Sequence, residues 1–246
     1  MKSTNKQLER RGLITDEDLV PYITLSDSKL IETIHSKEPK QRTIAIRILA
    51  NRNAQCAGIF IDALTVEKAL YVKIEIQKAL INIGKISIPL LIGKLGSIGV
   101  NQHRIVNNID LGKKTYPIAR DIAARILCGI GTDSLPALIS VIESGNQYMK
   151  LEAIDAIGYI TFYFGDYSSE ISLINLYQSV KSNSLLKWKI VKAMQGFKSK
   201  EIQEILSEVI VNEDNALIRN EALRSMKTIQ QRDSNSKKLG SNKRWT

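Results

Sequence analysis

Two cysteines, Cys56 and Cys128, and two histidines, His35 and His103, are the whole supply of thiol and imidazole ligands in 246 residues. Neither cysteine sits in a Cys-x-x-Cys pair, so a disulfide framework is excluded and a reducing cytosol is expected. Histidine-rich metal sites are excluded by the same scarcity, and no metal or cofactor is expected. No run approaches the roughly 18 uncharged apolar residues of a membrane span. The opening MKSTNKQLERRG has no apolar stretch behind its charges, which predicts no secretory leader and no membrane partner. Catalytic signatures are missing too: no GxxxxGK[ST], no GxGxxG after a strand, no HExxH and no GxSxG. What remains is an ordinary globular composition, 43% hydrophobic and 24% charged. Its balance is basic, 35 Lys+Arg against 25 Asp+Glu, a formal +10.

The information lies in an internal repeat. With a basic residue as position zero, a small or aliphatic residue follows at +3, Ala, Ile or Ser at +6, a larger apolar residue at +7 and another at +10. Lys73, Arg120, Lys150, Lys187 and Arg219 begin segments that fit throughout, as in Lys150 with Ala153, Ala156, Ile157 and Ile160. Arg42 begins a sixth, which departs only at +10, where Arg52 replaces the apolar residue. These offsets share one helical face, so each segment predicts an amphipathic helix. Pro39 and Pro117, three residues before position zero, suit a first helical turn. Gly84 and Gly131, at +11, suit a C-terminal cap with positive φ. A shorter apolar run precedes each segment: 30–34, 59–64, 88–95, 135–142, 171–180 and 202–210. Each run predicts the first helix of a hairpin whose second helix carries the repeat.

The pattern resembles the HEAT-like repeats of the short bacterial class, which also occur in phycobilin lyases. The resemblance rests on Val72-Lys73, Met149-Lys150 and Ile218-Arg219, on Ile-Gly at 83–84 and 130–131, and on Leu135-Pro136-Ala137-Leu138-Ile139. It implies an all-α fold, a right-handed α-solenoid (superhelix) of about six helical-hairpin repeats over residues 26–231. Residues 1–25 would be a lead-in or cap. Such arrays mostly bind other molecules. In HEAT-like families position zero commonly bonds to the neighbouring repeat, which makes Arg42, Lys73, Arg120, Lys150, Lys187 and Arg219 a structural ladder.

Position +5 lies roughly 140° from the centre of the buried stripe, hence toward solvent. Its occupants are Arg47, Lys78, Arg125, Asp155, Lys192 and Arg224, five of six basic where the HEAT-like pattern is often acidic. The resemblance places the second helices on the concave side, so these cations are expected to form a positive stripe along a groove. Leu151 and Trp188 at +1 and Tyr159 at +9 would add apolar and aromatic contact area. The alternative is a solvated helix face.

Residues 96–116, GSIGVNQHRIVNNIDLGKKTY, interrupt the third repeat and read as a loop by their glycines and asparagines. A loop this long is more often functional than not; His103, Arg104, Lys113 and Lys114 are its candidate contacts. His103 by itself reads as a solvated loop histidine. Residues 232–246 hold five cations against Asp233 alone and read as a disordered basic tail, leaving +6 for residues 1–231.

The functional expectation is a monomeric, cytoplasmic, non-catalytic scaffold whose basic groove takes an acidic protein surface. The alternative is a nucleic-acid binder using the same stripe on phosphates.

Overall fold

The computed structural model describes residues 4–52, 54–109, 111–180 and 182–241. The chain is all-helical among the described residues and divides into two compact units, Met1–Gly99 and Val100–Thr246. The expected third hairpin is thereby divided, its first helix in one unit and its second in the other.

In the first unit α1 (Asn5–Glu9) opens on a capping box formed by Thr4 and Gln7, and a 3₁₀ segment (Glu17–Tyr22) leads into α2 (Asp27–Thr33), capped by Ser26. Then come α3 (Pro39–Arg52), α4 (Ala57–Val66), α5 (Leu70–Ile83) and the short α6 (Ile88–Ile92). α3 starts at Pro39, where a missing N–H is harmless. α5 ends at Gly84 with φ +67°, the conformation a side chain resists. α2 packs on α3, α4 on α5 and α3 on α5, enclosing Leu30, Ile46, Leu49, Phe60, Leu64, Ile76 and Leu80. The lead-in is part of this body. Thr43 donates its hydroxyl to the Gly12 carbonyl at 2.8 Å, and a Cβ on Gly12 would meet Thr43 and Val72 at 2.8 Å. Arg52, the odd residue of the first repeat, has a local use: its guanidinium donates to the carbonyls of Ile23 and Leu25 and pairs with Asp27.

The second unit holds α7 (Ile122–Ile130), α8 (Leu135–Ser144), α9 (Gln147–Phe164), α10 (Glu170–Ser179), α11 (Ser184–Met194), α12 (Lys200–Asn212) and α13 (Ala216–Ser241). Helix α8 packs on α9, α10 on α11 and α12 on α13, while α7, α9, α11 and α13 lie side by side in chain order. Two expectations need correction. Pro117 is not in a first helical turn; α7 begins at Ile122, with the Asp121 carboxylate accepting from the Ala124 N–H at 2.9 Å. Arg120 therefore precedes the helix. The cause is local: Tyr163 donates to the Tyr116 carbonyl and Arg125 to the Ala119 carbonyl, which holds 116–119 outside the helix. Nor does disorder begin at 232. α13 continues to Ser241, and Arg232 lies 4.4 Å from the Phe162 ring while donating to the carbonyls of Gln195 and Gly196. Residues 242–246 of the expected tail, with Lys243 and Arg244, lie outside the described residues.

Among the described residues no single helix is long and apolar enough to cross a membrane.

Candidate functional site

Position zero behaves in more than one way. Arg42 makes a two-pronged pair with Glu67, at 2.8 Å for both bonds, and Lys187 reaches Glu213 at 2.7 Å; each acid lies at the turn of the following hairpin. Lys150 and Arg219 donate instead to carbonyls before their own helices, Glu143 for the first and Glu213 and Asp214 for the second. Lys73 is half-buried, and Arg120 is exposed.

The expected positive stripe at +5 is corrected. In the first unit Arg47 forks onto Glu75 at 2.8 and 2.7 Å, and Lys78 alone is exposed. In the second unit Lys192 is 2% exposed and Arg224 8%. Arg125 is half-buried on the Ala119 carbonyl, at 3.0 Å. Lys192 pairs with Asp155 at 2.6 Å, and Arg224 pairs with Glu221. Asp155 also takes Lys189 at 3.0 Å, and Lys189 bonds Glu152 at 3.0 Å and the Leu151 carbonyl at 2.9 Å. Four of the five +5 cations, all but Lys78, are thus spent on an internal acid or carbonyl, because a charge leaving water needs a partner. Burial opposes the Asp155 charge, but Lys189 and Lys192 more than offset it and hold the carboxyl below its usual range. Burial pushes the Glu152 carboxyl up to about 7, against the pull of Lys189.

What covers this face is the insert. His103, expected in solvent, is 4% exposed; its ring meets Trp188 edge-on at 5.1 Å and its Nδ1 lies 4.0 Å from Asp155. Gln102 donates to Asp121 at 3.0 Å, and the Lys113 carbonyl accepts from Arg224 at 3.3 Å. Tyr116 is fully buried against Tyr159 and Phe162, and its hydroxyl occupies the space over Gly158, where any Cβ would collide at 2.2 Å. Beneath this lid every residue from Leu151 to Gly158 and from Trp188 to Phe197 is buried. Trp188 and Leu151, expected as partner contacts, are therefore core, with Lys192 4.8 Å above the indole; Tyr159 is half-buried. Burial, then the neighbouring Lys192, lowers His103 to about 4, so the imidazole is neutral at pH 7.

The outer side of the insert is different in kind. Val100 is 88% exposed, Ile105 72% and Ile109 57%, beside exposed Arg104, Lys113 and Lys114. Lys114 also borders a groove of about 570 Å³ lined by Lys227, Gln230, Gln231 and Ser234 of α13. Sequence reasoning missed Gln102, Tyr116, Asp155, Lys189 and Glu152 as a set. One signal was present: Glu75, Glu152 and Glu221 hold +2 in three repeats, but the fifth has Lys189 there, directly after the repeat in which Asp155 replaces the +5 cation.

Among the described residues no cluster of three or more His, Cys, Asp or Glu is placed to hold a metal ion. Both cysteines are buried and burial pushes both thiols up.

No protein-family model matches the chain, and no curated protein matches it significantly. Among solved structures it is similar to two engineered proteins from the Northeast Structural Genomics Consortium. One has 17% identity and a TM-score of 0.40, covering 83% of this chain and 96% of the other. The second has 16% identity and a TM-score of 0.38, covering 85% and 100%.

Proposed function

We propose that this chain is a non-catalytic scaffold of HEAT-like helical hairpins, arranged as a right-handed α-solenoid, that holds an acidic protein partner against the outer side of the insert. The repeat spacing and the chain-order packing of hairpins within each unit support the architecture. The observation that carries the function is the two-sidedness of the insert. Gln102, His103 and Tyr116 are buried anchors, while Val100, Ile105 and Ile109 stand in water among Arg104, Lys113 and Lys114. Holding aliphatic groups in water is unfavourable, and a loop already fixed at its anchors loses little entropy on binding. Cations around an apolar centre select an acidic protein surface. A phosphate backbone is less well matched, because three aliphatic side chains offer nothing for bases to stack on and four of the five basic +5 side chains are engaged internally. The buried thiols, the neutral His103 and the absence of catalytic motifs fit a binding role in a reducing cytoplasm, as a monomer.

The test compares capture of partners by the natural chain, by Arg104→Glu/Lys113→Glu/Lys114→Glu and by Lys78→Glu. A partner retained by the Lys78 variant and lost, by at least about tenfold, by the insert variant is expected. Equal capture by all three sinks the reading. A mobility shift on random DNA or RNA, steeply weakened by salt, replaces it with nucleic-acid binding.

A further inference from the structure

The insert's inner side carries chemistry that partner binding does not use. His103 enters a space already holding two ammonium groups that share one carboxylate: Lys189 and Lys192 lie 3.0 and 2.6 Å from Asp155. Neither ring nitrogen of His103 has a hydrogen-bond partner among the described residues, and the Trp188 indole N–H beside it has none either. An imidazolium here would carry two N–H donors, one more than the neutral ring, with only Asp155, at 4.0 Å and twice engaged, to receive them. The charged groups acting on it are Asp155 from α9, Lys189 and Lys192 from α11, and Arg120 from the segment entering α7; Glu152, bonded to Lys189, and Asp121 beside it complete the set.

We propose that the first limb of the insert, residues 100–109, is a latch that acid releases: proton uptake by His103 sets a third cation beside Lys189 and Lys192 and expels the limb. The limb is the contact element of the function proposed above, so release would disorganise Val100, Arg104, Ile105 and Ile109 together. That functional link rests on the partner reading; the latch itself does not. The sign follows from the direction already given. His103 titrates near 4 when seated, against 6.5 in water, so the seated state loses ground as pH falls through 6.5 and continues to lose it until about 4. Between pH 7.5 and pH 5 the released fraction should rise about 30-fold. Glu152 works the other way, since its proton relieves a buried charge, but it sits on α9 and does not leave with the limb.

Hydrogen exchange of the full chain, without any partner, reads the release. After correction for intrinsic rates, amides 100–109 should lose protection about 30-fold from pH 7.5 to pH 5 while those of α9 hold theirs. His103→Gln should flatten that response and Glu152→Gln should keep it. A Trp245→Phe background makes Trp188 the sole indole, and its emission should shift to the red over the same range. Unchanged protection in the natural chain, or an equal acid response in His103→Gln, overturns the latch. Should His103→Gln be open at both pH values, the nuclear magnetic resonance titration of His103 in the natural chain decides: its midpoint must lie between about 4 and 6.5, inside the range over which protection is lost, and an unshifted midpoint at 6.5 overturns the proposal. Loss of partner capture with a working latch would instead count against the functional reading alone.

Discussion

Lys78 and Lys192 occupy the same repeat position, +5, yet one is exposed and the other is 2% accessible and bound to Asp155. Helical geometry cannot tell them apart; only the presence of a cover can. Lys78→Glu should therefore change stability by less than about 0.5 kcal/mol. Lys192→Glu should cost about 3–5 kcal/mol, because it sets a buried carboxylate against Asp155 and removes the cation that Asp155 needs. Chemical denaturation of the two variants checks this, and equal effects would mean that the Asp155 pair is not buried in solution. The periodicity made the stripe and position +5 legible. The pairing of +5 with acids was less so, although the exchange of sign at Asp155 and Lys189 is visible in the letters alone.

At the scale of elements the insert is the part least legible from sequence. Its glycines and asparagines report a loop, correctly, but composition does not say which side chains a loop buries. Tyr116 is the main anchor. It fits only because residue 158 is glycine, in a helix packed so closely that a Cβ on Gly196 would come within 3.2 Å of the Gly158 carbonyl. Such close approach has no signature beyond two glycines in helical context. Tyr116→Ala should cost about 3–5 kcal/mol through the cavity it leaves. Tyr116→Phe should be neutral or stabilising by up to about 1 kcal/mol, since its buried hydroxyl has no hydrogen-bond partner among the described residues. A large loss in the phenylalanine variant, measured by thermal melting, would show that the hydroxyl is bonded in solution. The displaced start of α7 belongs to the same story: Pro117 reads as a helix start, but the tethered Tyr116–Ala119 stretch leaves that role to Asp121.

For the molecule as a whole, the +10 balance overstates what is on offer to a ligand, since Arg42, Arg47, Lys187, Lys189, Lys192 and Arg224 are paired inside. It also makes acid response a contest between two buried groups. Burial lowers His103 to about 4, so its neutral form favours the folded state fully above 6.5 and that contribution is lost as pH falls toward 4. Burial raises Glu152 to about 7, so its contribution is fully present below 4.5 and is lost as pH rises through 7. Over pH 5 to 7 the two slopes oppose each other, and the global stability of the natural chain should vary by less than about 1 kcal/mol. Removing one exposes the other. His103→Gln should be more stable at pH 5 than at pH 7.5, and Glu152→Gln less stable, each by about 1–2 kcal/mol. Urea denaturation at the two pH values measures both. Flat profiles in the two variants would show that the seats of His103 and Glu152 are not dry, because a hydrated group keeps its ordinary titration and leaves no tilt of either sign.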